Sequence, residues 1–255
     1  MVIGSDLNAL VAGLAAADKG ALLLFTPVMP GSRQAELTCN QNEIVAAGIP
    51  ALDALAPARA ITIRPSGSRE DWPAKVGNPA KITEHFPLEV STFAGHTGND
   101  LFSALLPVLG QSVNGWDAGR DSIRRVVDAL APDAIINTAP RALFCERLDE
   151  HLFTRRPVWS SADIGPAVPE GEVWVNAEDA PAWYTTSCFD GLRITRWLVK
   201  PPFESVREDS FPISTNCDCA PVEMVHAGAE AECNPALTLA DVYSRASAAL
   251  LSEES

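Results

Sequence analysis

Residues 2–10 read VIGSDLNAL: a short apolar run, Gly4 at a turn, then an alanine- and leucine-rich stretch from Asn8 to Lys19. A strand that turns at glycine into a helix leaves free backbone N–H groups at the helix N-terminus, a natural seat for a phosphate. Gly4 suits the tight turn, and Ala9 suits close packing of helix on strand. Asp6 stands where a second glycine would let the backbone approach a pyrophosphate. Like charges about 4 Å apart at an effective dielectric near 20 cost on the order of 4 kcal/mol. Three readings of Asp6 stay open: a helix N-cap, a contact to a ribose hydroxyl or a cation in a rearranged nucleotide site, and a strained tolerance of a dinucleotide.

Other chemistry-bearing residues form weaker patterns. His85, His96, His151 and His226 lie far apart, with no H-E-x-x-H, and there is no G-x-S-x-G. FAGHTGNDLF (93–102) is punctuated by glycine around His96 and reads as an ordinary turn or as a site loop. CERLDEH (145–151) places Glu146, Asp149 and Glu150 on a helix as a solvated acidic face. Cys217-Asp218-Cys219 is a C-x-C pair without a second pair at zinc spacing, so no metal site is expected.

The chain has 255 residues, 47% hydrophobic and 20% charged, ordinary for one large or two small globular domains. Its formal charge of −14 argues against extended binding to nucleic acid, which requires phosphates to be neutralised. Arg120, Arg124 and Arg125 read as a solvated helix face, and Arg155 and Arg156 as a solvated loop. No run of about 20 apolar residues suggests a membrane span, and the N-terminus lacks the basic region of a signal peptide. A cytoplasmic setting follows, with Cys39, Cys145, Cys188, Cys217, Cys219 and Cys233 reduced.

The elements that must position these residues begin with a compact strand–helix–strand unit. Gly20 suits a helix C-cap, and ALLLF (21–25) reads as a buried parallel strand. A helix is expected at 42–47. DALAPARAITIRP (53–65) and DALAPDAIINTAP (128–140) each read as a helix end, a proline break and a strand, two returns onto one sheet. SIRRVVDAL (122–130) puts Ile123, Val126, Val127 and Leu130 on one helical face. If the strand in 134–140 is parallel, Asn137 to Pro140 line a site beyond its carboxyl end. Residues 172–177, 182–189 and 192–199 are rich in β-formers, with Asp190-Gly191 a hairpin turn. Trp174, Trp183 and Trp197 pack this sheet or wall a substrate pocket. A strand through Val225, a turn, and a helix from Leu239 capped by Thr238 end the chain.

Taken in order, four segments resemble the FAD-dependent oxidoreductases of the amine oxidase and UDP-galactopyranose mutase type. VIGSDLNALVAGLAAADKGALLLF is similar to their N-terminal βαβ unit, IRRVVDALAPDAIINTAP to their V-I-N-T-x-P phrase, EDAPAWYTTSCFDGLRITRW to the mutase-type sheet segment, and VHAGAEAECNPALTLADVY to the terminal segment along the cofactor. The resemblance implies a Rossmann-like parallel α/β body of the FAD/NAD(P)-binding type, with an inserted antiparallel sheet. It divides the chain into a body at 1–145 with a loop-rich insertion at about 26–120, a substrate-side sheet at 146–205, and a return at 206–255. It implies FAD contacts at Gly4, Ser5, Asp6, Leu7 and Asn8, at Thr26, at Asn137, Thr138 and Pro140, and at His226, Ala227 and Gly228. The substrate would be a small or nucleotide-linked molecule, with a protein partner or a second copy of the chain as a further expectation.

Departures from the family pattern fall at cofactor contacts: Asp6, Phe25 in place of an acidic ribose contact, Val225, His226 and Glu230 near the end, and Arg196-Trp197 closing the sheet segment. They keep two alternatives open: a cofactor-free homologue serving as a binding or assembly subunit, and a nucleotide-using modification enzyme without FAD.

Overall fold

The computed structural model describes residues 1–4, 6–17, 20, 22–25, 44–76, 86–109, 113–115, 120–147, 150–151, 154–213, 217, 219–228, 231–232 and 237–251. The chain divides into two compact units. One comprises Met1–Pro30, Phe102–Thr154 and Phe211–Ser255, and the other Gly31–Leu101 and Arg155–Ser210.

The strands, in chain order, are β1 (Val2–Gly4), β2 (Leu23–Phe25), β3 (Ile44–Ala46), β4 (Arg59–Ser66), β5 (Ser91–Thr97), β6 (Val113–Gly115), β7 (Ile136–Asn137), β8 (Thr154–Ala162), β9 (Glu172–Asn176), β10 (Trp183–Phe189), β11 (Leu192–Trp197), β12 (Val206–Ile213) and β13 (Val225–His226). The helices used below are α1 (Leu7–Ala15), α2 (Pro50–Asp53), α3 (Trp72–Val76), α4 (Gly98–Leu109), α5 (Arg120–Leu130) and α6 (Leu239–Leu251).

The first unit is built on a parallel sheet of order β13-β7-β1-β2-β6. Renumbered within the sheet, this is the 3-2-1-4-5 order of a doubly wound dinucleotide fold, read from β6 to β13. β1 is central and buried throughout, as an apolar strand covered on both faces must be. Ile3, Ile123, Ile135, Ala139 and Phe144 form one core cluster, bordered by Met1, Val127, Val222 and Met224. α1 buries Leu7, Ala9, Leu10 and Val11, and it packs against α6. Fully burying a side chain of leucine size contributes about 1.5–3 kcal/mol, so this short helix is held chiefly by its apolar face. Gly13 lets α1 approach β2: a Cβ there would lie 2.7 Å from Leu23 Cδ2.

The second unit carries an eight-stranded sheet of order β12-β8-β11-β10-β9-β4-β5-β3; from β8 to β3 it is antiparallel except where β4 runs parallel to β9. β10 and β11 form the expected hairpin. Asp190 and Gly191 both have positive φ, 55° and 73°, as a tight two-residue turn matched to strand twist requires. Thr186 and Thr195 face each other with their hydroxyl oxygens 2.9 Å apart, and Ile61, Val173 and Phe189 form a core cluster. The buried Lys75 of α3 donates to the carbonyls of Glu178 and Pro181. Trp174 donates to Glu172 and Trp197 to Ser161, so these indoles act within the sheet.

The expected fold class holds: an α/β body with a parallel sheet and a second, mostly antiparallel sheet. Several local expectations do not. Residues 44–46, expected within a helix, are strand β3, because Ile44 and Val45 pair with Thr97 and His96 of β5. The two similar phrases feed different sheets, β4 into the eight-stranded one and β7 into the five-stranded one. Consequently β3, β4 and β5 belong to the second unit, whereas the sequence reading placed them in an insertion of the body. The glycine-punctuated stretch around His96 is neither turn nor loop but β5 running directly into α4. Leu130, expected on the apolar face of α5, is 49% exposed at the helix end. Arg155 and Arg156 lie in strand β8 rather than a loop. The expected acidic helix at 145–151 is, among its described residues, a turn following a 3-10 segment at Arg141–Phe144.

Because Gly191 has φ +73° with open space around its Cα, Gly191→Ala meets only the backbone penalty of that conformation. It is expected to cost about 1 kcal/mol, read as a lower urea midpoint at unchanged slope.

Candidate functional site

In a doubly wound sheet, ligands lie beyond the carboxyl ends of strands at the point where the strand order reverses. Here the chain steps from β1 outward to β2 and β6, then returns to the other side of β1 for β7 and β13. The reversal lies between β1 and β7, whose carboxyl ends carry Gly4 and Asn137.

Thr138 closes this floor. Its N–H donates to Ile3 O at 2.8 Å, and its hydroxyl donates to the same carbonyl at 3.0 Å. Gly4 lies directly against it, where a Cβ would come 2.0 Å from Thr138 Oγ1 and 2.7 Å from Ala9 Cβ. Gly228 flanks Thr138 from the other side, and Ala227 N–H donates to Asn137 O at 2.8 Å. Gly4, Asn137, Thr138, His226, Ala227 and Gly228 are therefore brought together, while Pro140 opens the 3-10 segment just beyond. Leu7 is buried in the core, so only its backbone can face a ligand. Ser5, Thr26 and Glu230 lie outside the described residues.

Asp6 is the N-cap of α1. Its Oδ1 accepts from Ala9 N–H at 3.3 Å, and its Oδ2 accepts from Asn8 Nδ2 at 2.6 Å. Burial pushes its carboxyl above the usual range, against the lowering effect of those hydrogen bonds. Of the three readings of Asp6, the cap is the one this geometry displays, and it uses one of the N–H groups a phosphate would take.

Asn137 and His226 form a polar pair across β7 and β13. Asn137 Oδ1 accepts from Ala139 N–H at 3.0 Å, and its Nδ2 donates to Ala139 O at 3.1 Å, which fixes the orientation of the amide. Nδ2 also donates to His226 Nδ1 at 3.1 Å. His226 Nδ1 is then an acceptor, and the neutral ring carries its proton on Nε2. Burial, with the charge of Arg141 added, lowers His226 to about 4. The site thus presents a neutral imidazole, a hydrogen-bond donor through Nε2 that resists protonation.

His96 occupies a different setting, buried in β5 of the second unit with Nε2 2.7 Å from Asp53 Oδ1. Hydrogen bonds from His96 and from Gly48 N–H hold the Asp53 carboxyl below its usual range.

Sequence reasoning missed one cluster in the first unit: Cys145 and His151 converge on Cys217 and Cys219. Spacing alone points to no metal site, because residues separated by more than 60 positions form no spacing motif. A C-x5-H segment followed by a distant C-x-C was the available signal.

No protein-family model matches this chain, and no curated protein matches it by sequence. Solved structures do resemble it. An oxidoreductase from Methanosarcina mazei shares the layout over 100% of this chain and 99% of its own, at 10% identity and a TM-score of 0.52. The likeness is one of fold alone. A flavoprotein/dehydrogenase from Cytophaga hutchinsonii aligns over 97% of this chain and 76% of its own (10% identity, TM-score 0.49). Iminodiacetate oxidase from Chelativorans sp. BNC1 aligns over 83% and 72% (15% identity, TM-score 0.42).

Two outcomes follow from this geometry. Gly4→Ala drives a methyl into Thr138 and is expected to cost about 1–3 kcal/mol, measured by denaturant unfolding. A histidine lowered on folding binds its proton more readily when unfolded, so its stabilising contribution is present above 6.5 and lost as pH falls toward 4. Melting temperature should fall through that window in the wild type, and less steeply in His226→Gln.

Proposed function

We propose that this chain is an FAD-dependent oxidoreductase-like protein that holds the cofactor across the carboxyl ends of β1 and β7 and acts on a small or nucleotide-linked molecule. The observation that carries the reading is the strand order around β1, with Gly4 and Thr138 forming a floor too close-packed for any side chain at position 4. The order of motifs supports the amine oxidase and UDP-galactopyranose mutase type within that class. The reading implies a cytoplasmic setting; among the described residues no helix is long and apolar enough to cross a membrane.

The residues fit a dinucleotide at the floor and oppose it at the turn. Gly4 and Gly228 bring backbone close against Thr138, and Asn137 with His226 offers neutral hydrogen-bonding groups nearby. Asp6 fits a pyrophosphate only as the neutral acid, and burial favours that form. A bound flavin would supply the electron and hydride transfer. The chain's own part is to bind, orient and exclude water: the α1 N-terminus toward the phosphates, and Asn137 holding His226 in one tautomer with Nε2–H as donor. Affinity is expected to fall as pH rises through the Asp6 value, because the ionised carboxylate repels the phosphates.

The test is FAD binding by thermal shift and by release of flavin from freshly purified protein. Wild type should be stabilised by FAD, and Asp6→Gly should bind more tightly. Glycine is an adequate N-cap, costing only a few tenths of a kcal/mol relative to the polar caps, so the variant should fold. Absence of flavin and of any FAD-dependent stabilisation in both proteins would sink the proposal and favour a cofactor-free homologue.

A further inference from the structure

Cys145, His151, Cys217 and Cys219 lie in the first unit and present one ligand atom each within 4.8 Å of all the others. Cys145 Sγ is 3.3 Å from Cys219 Sγ and 3.3 Å from His151 Nδ1. Cys219 Sγ is 3.3 Å from Cys217 Sγ and 3.4 Å from His151 Nδ1. A tetrahedral ion with sulfur ligands at about 2.3 Å and nitrogen at about 2.0 Å has edges of roughly 3.5–3.8 Å. Four of the six separations are thus close to, and slightly shorter than, the edges of such a coordination tetrahedron, and the other two lie within 4.8 Å. The sulfurs are well beyond the roughly 2.05 Å of a disulfide. Thiols are weak hydrogen-bond donors, so three sulfurs and an imidazole nitrogen gain little from converging on one another.

The surroundings suit metal thiolates. The turn after Cys145 directs the Arg147 N–H toward Cys145 and Cys219, and the Arg147 side chain also hydrogen-bonds Cys219. Such N–H···S bonds orient thiolate ligands and offset their charge. The backbone carrying the ligands is tied together: Glu146 N–H donates to Cys219 O at 3.2 Å, and His151 N–H to Arg147 O at 3.0 Å. Arg141 donates to Cys217 O and, at 2.7 Å, to Ala231 O. Cys145 and Cys217 are buried, and Cys219 and His151 are half-buried.

We propose that Cys145, His151, Cys217 and Cys219 bind one zinc ion in a closed Cys3His structural site. Thiolate-rich tetrahedral sets select zinc among common divalent ions, and four protein ligands leave no open position for catalysis. The ligands sit just before the chain leaves the first unit at Thr154 and just after it re-enters at Phe211. The ion would staple both ends of that 155–210 excursion to one point, which ordinary loops of this length do only at an entropic cost. This site is independent of FAD binding.

The test is elemental analysis of untagged, full-length protein purified without chelator. About one zinc per chain is expected. Chelation should lower the melting temperature and make reactive the three ligand cysteine thiols that zinc had protected, and cobalt exchange should give the visible bands of a tetrahedral thiolate site. Cys219→Ala and His151→Ala should lose most of the zinc, while Cys188→Ser, in β10, should keep it. If the substituted chains fail to fold, the wild-type metal content and cobalt spectrum still decide. Metal-free protein with free thiols, a disulfide among these cysteines, iron in place of zinc, or zinc retained in both ligand variants would overturn the proposal.

Discussion

The approach of β1 to β7 at Gly4 and Thr138 is the constraint on which the first unit turns. Thr138 donates twice to Ile3 O, through its backbone N–H and its hydroxyl, and so draws the two strands together just where both end. No Cβ fits at position 4 once this is done. The chain must turn there without a side chain, which places Asp6 at the start of α1 and aims the helix N-terminus over the strand ends. The same packing brings Asn137 beside His226, because β13 registers against β7 one residue before Thr138. Floor, turn and polar pair are consequences of one close contact.

Asp6 shows how local and global demands differ. As an N-cap it satisfies free N–H groups of a helix too short to be stable alone. As a carboxylate at a phosphate seat it would be repelled. Burial raises its pKa, against the lowering effect of its hydrogen bonds from Asn8 and Ala9. His226 is tuned in the same sense, toward neutrality, by burial and by Arg141.

The Cys3His cluster rests on a different principle. Its ligands come from two segments that ordinary packing would leave as exposed loops, since short irregular stretches bury little apolar surface. Hydrogen bonds from Arg141 to Cys217 O, from Glu146 N–H to Cys219 O and from His151 N–H to Arg147 O hold them, and a shared ion is what three thiols and an imidazole facing one point are chemically suited to bind.

The sequence by itself determined whatever depends on neighbours in the chain. The βα unit at residues 2–25, the Asp190-Gly191 hairpin, the Thr238-capped terminal helix and a strand within 134–140 were legible because periodicity, turn chemistry and capping are local. Gly4, Asn137 and Thr138 could be singled out for the same reason. What only the tertiary structure decided is which sheet each strand joins and which distant residues meet. Ile44 and Val45 became a strand through pairing with β5, and β4 left the parallel body for the other sheet. Cys145 and His151 met Cys217 and Cys219 across more than 60 residues. Strand pairing and ligand convergence are set by the packing of whole surfaces, and a three-residue strand or a lone cysteine carries no local mark of its partner.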